Sequence, residues 1–176
     1  METNSLRADC ARCAALCCLA LAFDRSEQFA IDKKSGEPCP YLDGCSGCRI
    51  HSDREPLGFG GCVTFDCLGA GQRVSEHYFP GQSWSADPSL IEPMSRAFLV
   101  VLRAHECLLL LREAQKLHLR SHDFERASAL QKKLWLAGCD GVQISALQKE
   151  TADFLSGLKA YVEDRPSRPV RSDRIR

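Results

Sequence analysis

Residues 89–119 read SLIEPMSRAFLVVLRAHECLLLLREAQKLHL. The apolar side chains Ile91, Met94, Phe98, Val101, Leu108 and Leu109 recur at spacings that place them on one helical face. Leu99, Leu102 and Leu110 widen that stripe, so the helix is predicted to be central, with several partners around it. Ser89 is its predicted N-cap and about Leu119 its end.

Two further helices follow downstream. Asp123 is the predicted cap of the first, which ends at Gly138, a residue suited to the C′ position. Phe124, Ala127, Leu130, Leu134 and Trp135 form its inward face. The next runs from about Val142 to Asp164 with Ile144, Leu147, Phe154, Leu155, Leu158 and Val162 inward, and Pro166 and Pro169 stop it. The last residues, 165–176, form a basic polar tail.

Upstream the text changes character. Nine of the 11 cysteines lie in the first 67 residues, and only Cys107 and Cys139 follow. Residues 1–87 hold 8 basic and 12 acidic side chains and residues 88–176 hold 15 and 11. The boundary falls in the turn-rich run from Pro80 to Pro88. The expected organisation is therefore a cysteine-rich head over 1–87, a three-helix unit over 88–164 and the tail. In class the chain is mainly α, its loop-rich head carrying short strands or helices and packing on the C-terminal unit. Residues 6–23 are expected to form a helix bearing the first cysteines, and Cys62-Val63-Thr64-Phe65 a short strand. Residues 24–80 are rich in Gly, Pro, Asp and Ser and have little regular apolar surface with which to order themselves. Bound metal is the natural support for such a segment.

The cysteine spacings carry that idea further. Cys10 and Cys13 form a CxxC pair, whose thiolates converge on one ion across a tight turn. Cys17 stands four residues on, within reach from the next helical turn, and Cys18 is adjacent to it. Adjacent side chains are expected to point apart, so Cys17 and Cys18 would serve two sites or bridge two ions. Cys39, Cys45, Cys48, His51, Arg54 and Cys62 come next, then Asp66-Cys67 leading into Gly69-Ala70-Gly71. These groups suffice for two four-coordinate ions, or for one cluster with spare thiols, and suit zinc or an iron–sulfur cluster. The expected metal set is Cys10, Cys13, Cys17, Cys18, Cys39, Cys48, Cys62 and Cys67.

The order CxxC, CC, Cys39-Pro40-Tyr41-Leu42, then Cys48-Arg49-Ile50-His51 with Arg54 three positions after the histidine, then Cys62, resembles the YkgJ-type cysteine-cluster family. That resemblance spans Cys10 to about Cys62. It implies a zinc- or iron-chelating domain with ligands among Cys10, Cys13, Cys17 or Cys18, Cys39, Cys48 and Cys62. Here three residues separate Cys13 from the Cys pair, and Glu55 stands between Arg54 and Pro56, both departures from the family pattern. A second likeness covers Phe29-Ala30-Ile31-Asp32-Lys33 and the run from Gly58 to Gln72. These segments are similar to the cysteine-rich N-terminal region of actinobacterial pentapeptide-repeat proteins, although no run of the pentapeptide repeat occurs here.

Blander roles are assigned elsewhere. Cys107 and Cys139, in helical text, are read as core or incidental residues, and Cys45 as a spare thiol. His51 is a possible nitrogen ligand beside Cys48, and His77 a second; His105 is read as a core or interface residue. Gly69-Ala70-Gly71 lacks both the dinucleotide and the P-loop fingerprint and is read as a turn allowing close packing near Cys67. Zero net charge, with 23 residues of each sign, argues against a nucleic-acid partner. The short apolar run from Ala14 to Phe23 is too brief for a membrane span. Glu2 and Asp9 spoil it as a signal peptide, so a cytoplasmic chain that keeps its N-terminus is expected, with reduced thiols that favour metal over disulfides. No Ser/His/Asp, paired-carboxylate or HExxH set stands out, so the sequence favours a binding module over an enzyme. Two other readings are an iron–sulfur redox or methyl-transfer-associated enzyme and a metal delivery or sensing protein. Besides the metal ion, the sequence names no protein partner.

Overall fold

In the computed structural model, which describes residues 6–44 and 46–163, seven α-helices follow in chain order. Three short ones serve the head: α1 (Leu16–Ala20), α2 (Gly60–Thr64) and α3 (Ala70–Arg73). The long helices α4 (Ile91–Gln115), α5 (Ser121–Ala137) and α6 (Gly141–Ser156) follow, with the short α7 (Lys159–Glu163) after them. A 3₁₀ turn at Cys10–Arg12, a π turn at Val74–Tyr78 and a 3₁₀ turn at Pro88–Leu90 complete the helical content. The protein is thus mainly helical.

Helix α4 is the axis. Its outer half joins α5 and α6 in one core around Leu108, Leu111, Leu130, Leu134, Ile144 and Phe154. Its first half belongs to a second core, where Met94, Phe98 and Val101 meet Leu16 and Leu19 of α1 and Val74. Both leucines of α1 are completely buried, each stabilising the fold by roughly 1.5–3 kcal/mol. One helix therefore supports both the helical unit and the head.

The ends of these elements depart from the sequence expectation in explicable ways. Asp87, not Ser89, accepts the capping hydrogen bonds, from the backbone N–H and the hydroxyl of Ser89, and it opens the 3₁₀ turn ahead of α4. Asp123 lies inside the first turn of α5 and accepts a 2.5 Å hydrogen bond from Tyr161 of α7. Gly138 does end α5, with φ of 64°, and Asp140 caps α6 through the N–H groups of Val142 and Gln143. The last predicted helix breaks after Ser156, at Gly157, before α7. Phe124 and Leu110, expected inward, are about half exposed. Leu110 points away from the core although Leu108 and Leu111 beside it are buried, a choice of face that a broad apolar stripe leaves open.

The head differs more. Residues 6–23 form no continuous helix: Ala15 takes the left-handed conformation, φ 54°, and separates the Cys10–Arg12 turn from α1. The expected strand at Cys62–Phe65 is instead α2 with its C-cap. Among the described residues the head holds two isolated β-bridges, Phe23 with Lys33 and Leu42 with Cys48, in place of strands. Residues 165–176 and Cys45, assigned from sequence to a tail and a spare thiol, lie outside the described residues. Within them no helix is long and apolar enough to cross a membrane.

Candidate metal centre

Helix α1 organises the head. Leu16, Leu19 and Ala20 face the core, which leaves Cys17 and Cys18 on the other side. A helix this short has unpaired carbonyls at its C-terminal end, and residues 33–39 supply the donors. The Cys39 N–H donates to the Cys18 carbonyl at 3.0 Å and the Gly36 N–H to that of Leu19 at 3.0 Å. The Ser35 hydroxyl donates to the Ala20 carbonyl at 2.7 Å. The buried Lys33 ammonium donates to the carbonyls of Leu19, Leu21 and Lys34 at 3.1, 2.5 and 3.1 Å. Capping α1 in this way delivers Cys39 beside Cys18.

The other thiols are placed by similar local devices. The Cys10–Arg12 turn is clamped by Gln72 of α3, which accepts from the Asp9 N–H and donates to the Arg7 carbonyl. A two-pronged Arg12–Glu76 pair and an Ala14 N–H bond to Ser75 hold the chain on either side of Cys13. Cys48 is brought back to Leu42 by its β-bridge and by the pairing of Asp43 with Gly47. Arg54 donates to the carbonyls of His51 and Cys62, at 2.9 and 3.0 Å, and so ties the Cys48 segment to α2. Gly61 lets Phe29 pack directly on α2: a Cβ there would stand 2.2 Å from the Phe29 ring. Cys67 precedes Leu68, in the left-handed region at φ 51°, whose carbonyl lies 2.7 Å from Nδ1 of His105 on α4.

All eight cysteines singled out by spacing, Cys10, Cys13, Cys17, Cys18, Cys39, Cys48, Cys62 and Cys67, line one cavity of about 440 Å³. His51 and Arg54 line it too, among apolar walls that include Phe23, Phe59 and Phe98. His77 is exposed and lies away from it. Cys107 is buried in the helical core, Cys139 is exposed, and His105 is buried against Arg73 and Trp135. The adjacent pair behaves differently from expectation. The Cys17 and Cys18 sulfurs are 3.9 Å apart rather than divergent, close to the roughly 3.8 Å edge of a tetrahedral zinc–thiolate site with about 2.3 Å bonds.

The surroundings favour neutral thiols. Burial pushes Cys13 up to about 12. Cys17 is raised by its contact with Cys18 and then by burial. Burial also raises Cys10, Cys39 and Cys62, while the Arg54 charge counters it at Cys10 and Cys62 and the Lys33 charge at Cys39. Burial in turn lowers Lys33. Lys33 and Gly61 are site features to which spacing assigned no role. A single lysine in a polar loop gives no sign that it will be buried, and the Gly61 requirement follows from Phe29 being 32 residues away in sequence.

The donor set, soft thiols with one imidazole at the edge of an apolar cavity, fits a thiophilic metal group. It does not close on a point: among the described residues no three His, Cys, Asp or Glu side chains are gathered tightly enough to hold one ion.

No family model matches the chain, and no solved structure matches it. The chain is similar to the uncharacterized protein YybG of Bacillus subtilis (strain 168), with 41% identity over 109 residues, 62% of this chain. The matched region spans 39% of that protein's length.

Proposed function

We propose that this protein is a metal-binding cysteine-cluster protein whose head holds zinc or an iron–sulfur cluster, and that the loaded head serves as a structural or interaction module. The observation that carries the reading is the collection of all eight spaced cysteines on one cavity. Residues as far apart in sequence as Cys10 and Cys67 share it. The resemblance of the Cys10–Cys62 pattern to the YkgJ-type family points to the same chemistry, and the likeness of Phe29–Lys33 and Gly58–Gln72 to the heads of pentapeptide-repeat proteins points to a module. In this reading 1–87 is the metal-supported head and 88–164 the scaffold that carries it. The partial burial of Cys13 and Cys17 favours a retained group over a rapidly exchanging delivery site, for which thiolates need access to a recipient.

The test is elemental analysis with an absorption spectrum on anaerobically purified protein. Iron with labile sulfide and a brown colour would identify a cluster, and colourless protein with stoichiometric zinc a structural site. Protein that purifies metal-free and takes up neither metal on reconstitution would refute the reading.

A further inference from the structure

We infer that His105 is the positioning residue for Cys67: its Nδ1–H holds the Leu68 carbonyl and so fixes the turn that presents the Cys67 thiol to the head cavity, and Arg73 keeps the ring in the one tautomer that can do this. The clamp shapes a wall of the cavity whichever group fills it, and it does not depend on the metal-binding reading.

The turn needs an outside support. Cys67 lines the cavity, and the two residues after it both take positive φ, Leu68 at 51° and Gly69 at 77°. Glycine adopts that conformation at little cost and leucine does not. A residue held there persists only where its surroundings over-determine it. The Leu68 N–H donates to Asp66 Oδ1 at 2.8 Å, an exposed contact two residues away. The Leu68 carbonyl points instead to the interior, 2.7 Å from Nδ1 of His105, a side chain only 3% exposed. The same turn opens α3: Gly69 is its N-cap, and the Ala70 N–H donates to the Cys67 carbonyl at 2.9 Å. Releasing Leu68 would therefore release Cys67 as well.

The hydrogen-bond chemistry places the proton on the ring. A carbonyl only accepts, so Nδ1 carries the hydrogen. On the far side Nε2 lies 3.3 Å from a guanidinium nitrogen of Arg73. A guanidinium only donates, so Nε2 is bare. Both contacts demand the same neutral tautomer, and each enforces the other. Arg73 is itself immobilised. It donates to the Trp135 carbonyl at 2.9 Å and to the Tyr78 hydroxyl at 3.5 Å, and its Cζ lies 3.4 Å from the centroid of the Trp135 ring, a cation–π contact. The Trp135 and His105 rings are stacked 15° from parallel. Arg73 is the last residue of α3 and the Cys67–Gly69 turn leads into its first, so the clamp closes over that helix from end to end. Helices α4 and α5 thereby set the place of a thiol in the head.

Two measurements on the full reduced chain, as purified, test this. Long-range ¹H–¹⁵N correlation of the imidazoles, with His105 assigned through its bonds to the backbone, should show Nδ1 protonated and Nε2 bare in the wild type. A protonated Nε2, or an average of both tautomers, would overturn the inference without recourse to a variant. The second is pulsed alkylation with iodoacetamide, read by peptide mass spectrometry as the rate at Cys67 relative to Cys39, whose N–H is tied to the Cys18 carbonyl by a separate network. His105→Asn keeps an N–H donor at the Nδ1 position, whereas His105→Gln carries its amide at the Nε2 position and loses the donor to Leu68. The Cys67-to-Cys39 ratio should rise roughly 2- to 10-fold in His105→Gln, the range that one lost hydrogen bond allows, and stay at the wild-type value in His105→Asn. An unchanged ratio in His105→Gln, an equal rise in both variants, or acceleration of Cys67 and Cys39 alike would overturn the inference. None of these outcomes alters whether the cavity takes up metal, which elemental analysis decides separately.

Discussion

Replacing Gly71 with alanine tests whether the Cys13 sulfur is held in the position described. The new Cβ would lie 2.5 Å from Cys13 Sγ, well inside contact distance, and Cys13 has one side-chain torsion with which to withdraw. Its sulfur also accepts a 3.5 Å hydrogen bond from the Leu16 N–H, at the start of α1. Overpacking of this kind costs about 1–3 kcal/mol. Alanine inside a helix returns about 0.5–1 kcal/mol relative to glycine. Gly71→Ala should therefore destabilise the protein by roughly 0.5–2 kcal/mol. In a Cys13→Ala background the clash vanishes, and the same change should be neutral or stabilising by about 0.5–1 kcal/mol. The expected coupling in the double-mutant cycle is about 1–3 kcal/mol, well above the few tenths found for independent sites. Urea unfolding under reducing conditions measures it, followed by the fluorescence of Trp84, whose indole N–H donates to the Ala14 carbonyl at 2.6 Å and so reports on the chain next to Cys13. Effects that add to within about 0.5 kcal/mol would mean that Gly71 and Cys13 are not in contact.

Three further outcomes are expected. Burial lowers His105 from 6.5 to about 4, so the fold holds it neutral. Its contribution is complete above about pH 6.5 and is lost as pH falls towards 4, by up to roughly 3 kcal/mol at about 1.36 kcal/mol per pH unit; urea unfolding across that window should show a shallower acid loss in His105→Gln, and parallel curves would contradict it. Lys33→Met leaves the carbonyls of Leu19, Leu21 and Lys34 without their ammonium donor and should cost about 1–3 kcal/mol in urea unfolding, as well as weakening zinc affinity in competition titrations because a cation near Cys39 and Cys18 is lost. Chelation under reducing conditions should remove amide-exchange protection from residues 10–70 and loosen the first half of α4, while α5 and α6 keep theirs. Structural zinc supplies about 10–16 kcal/mol in small peptides, comparable with the whole stability of a typical domain; unchanged protection over 10–70 after confirmed metal loss would show that the cysteines do not hold the head together.

Reading the residues alone was enough to place the helical half and to single out the eight cysteines that line the head cavity. A stripe of Ile, Met, Phe, Val and Leu at helical spacing has one efficient way to be buried, and α4 follows it from Ile91 to Gln115. Gly138 marks the end of α5 because a positive φ costs glycine little. The eight cysteines were recognisable from spacing because clustered thiols are conspicuous in any chain. Their arrangement in space was not. Helix α1 is set off by Ala15 in the left-handed region, a conformation that alanine does not advertise and that only the surrounding packing sustains. Cys17 and Cys18 come within 3.9 Å through the positions that α1 and its environment give their side chains, whereas adjacency in sequence suggested divergence. The burial of Lys33 and the closeness of Gly71 to Cys13 depend on residues brought together from distant parts of the chain. Local periodicity fixes which face of a helix is apolar; the partners that meet a loop are chosen by tertiary packing, because a loop has no repeating pattern from which its neighbours can be read.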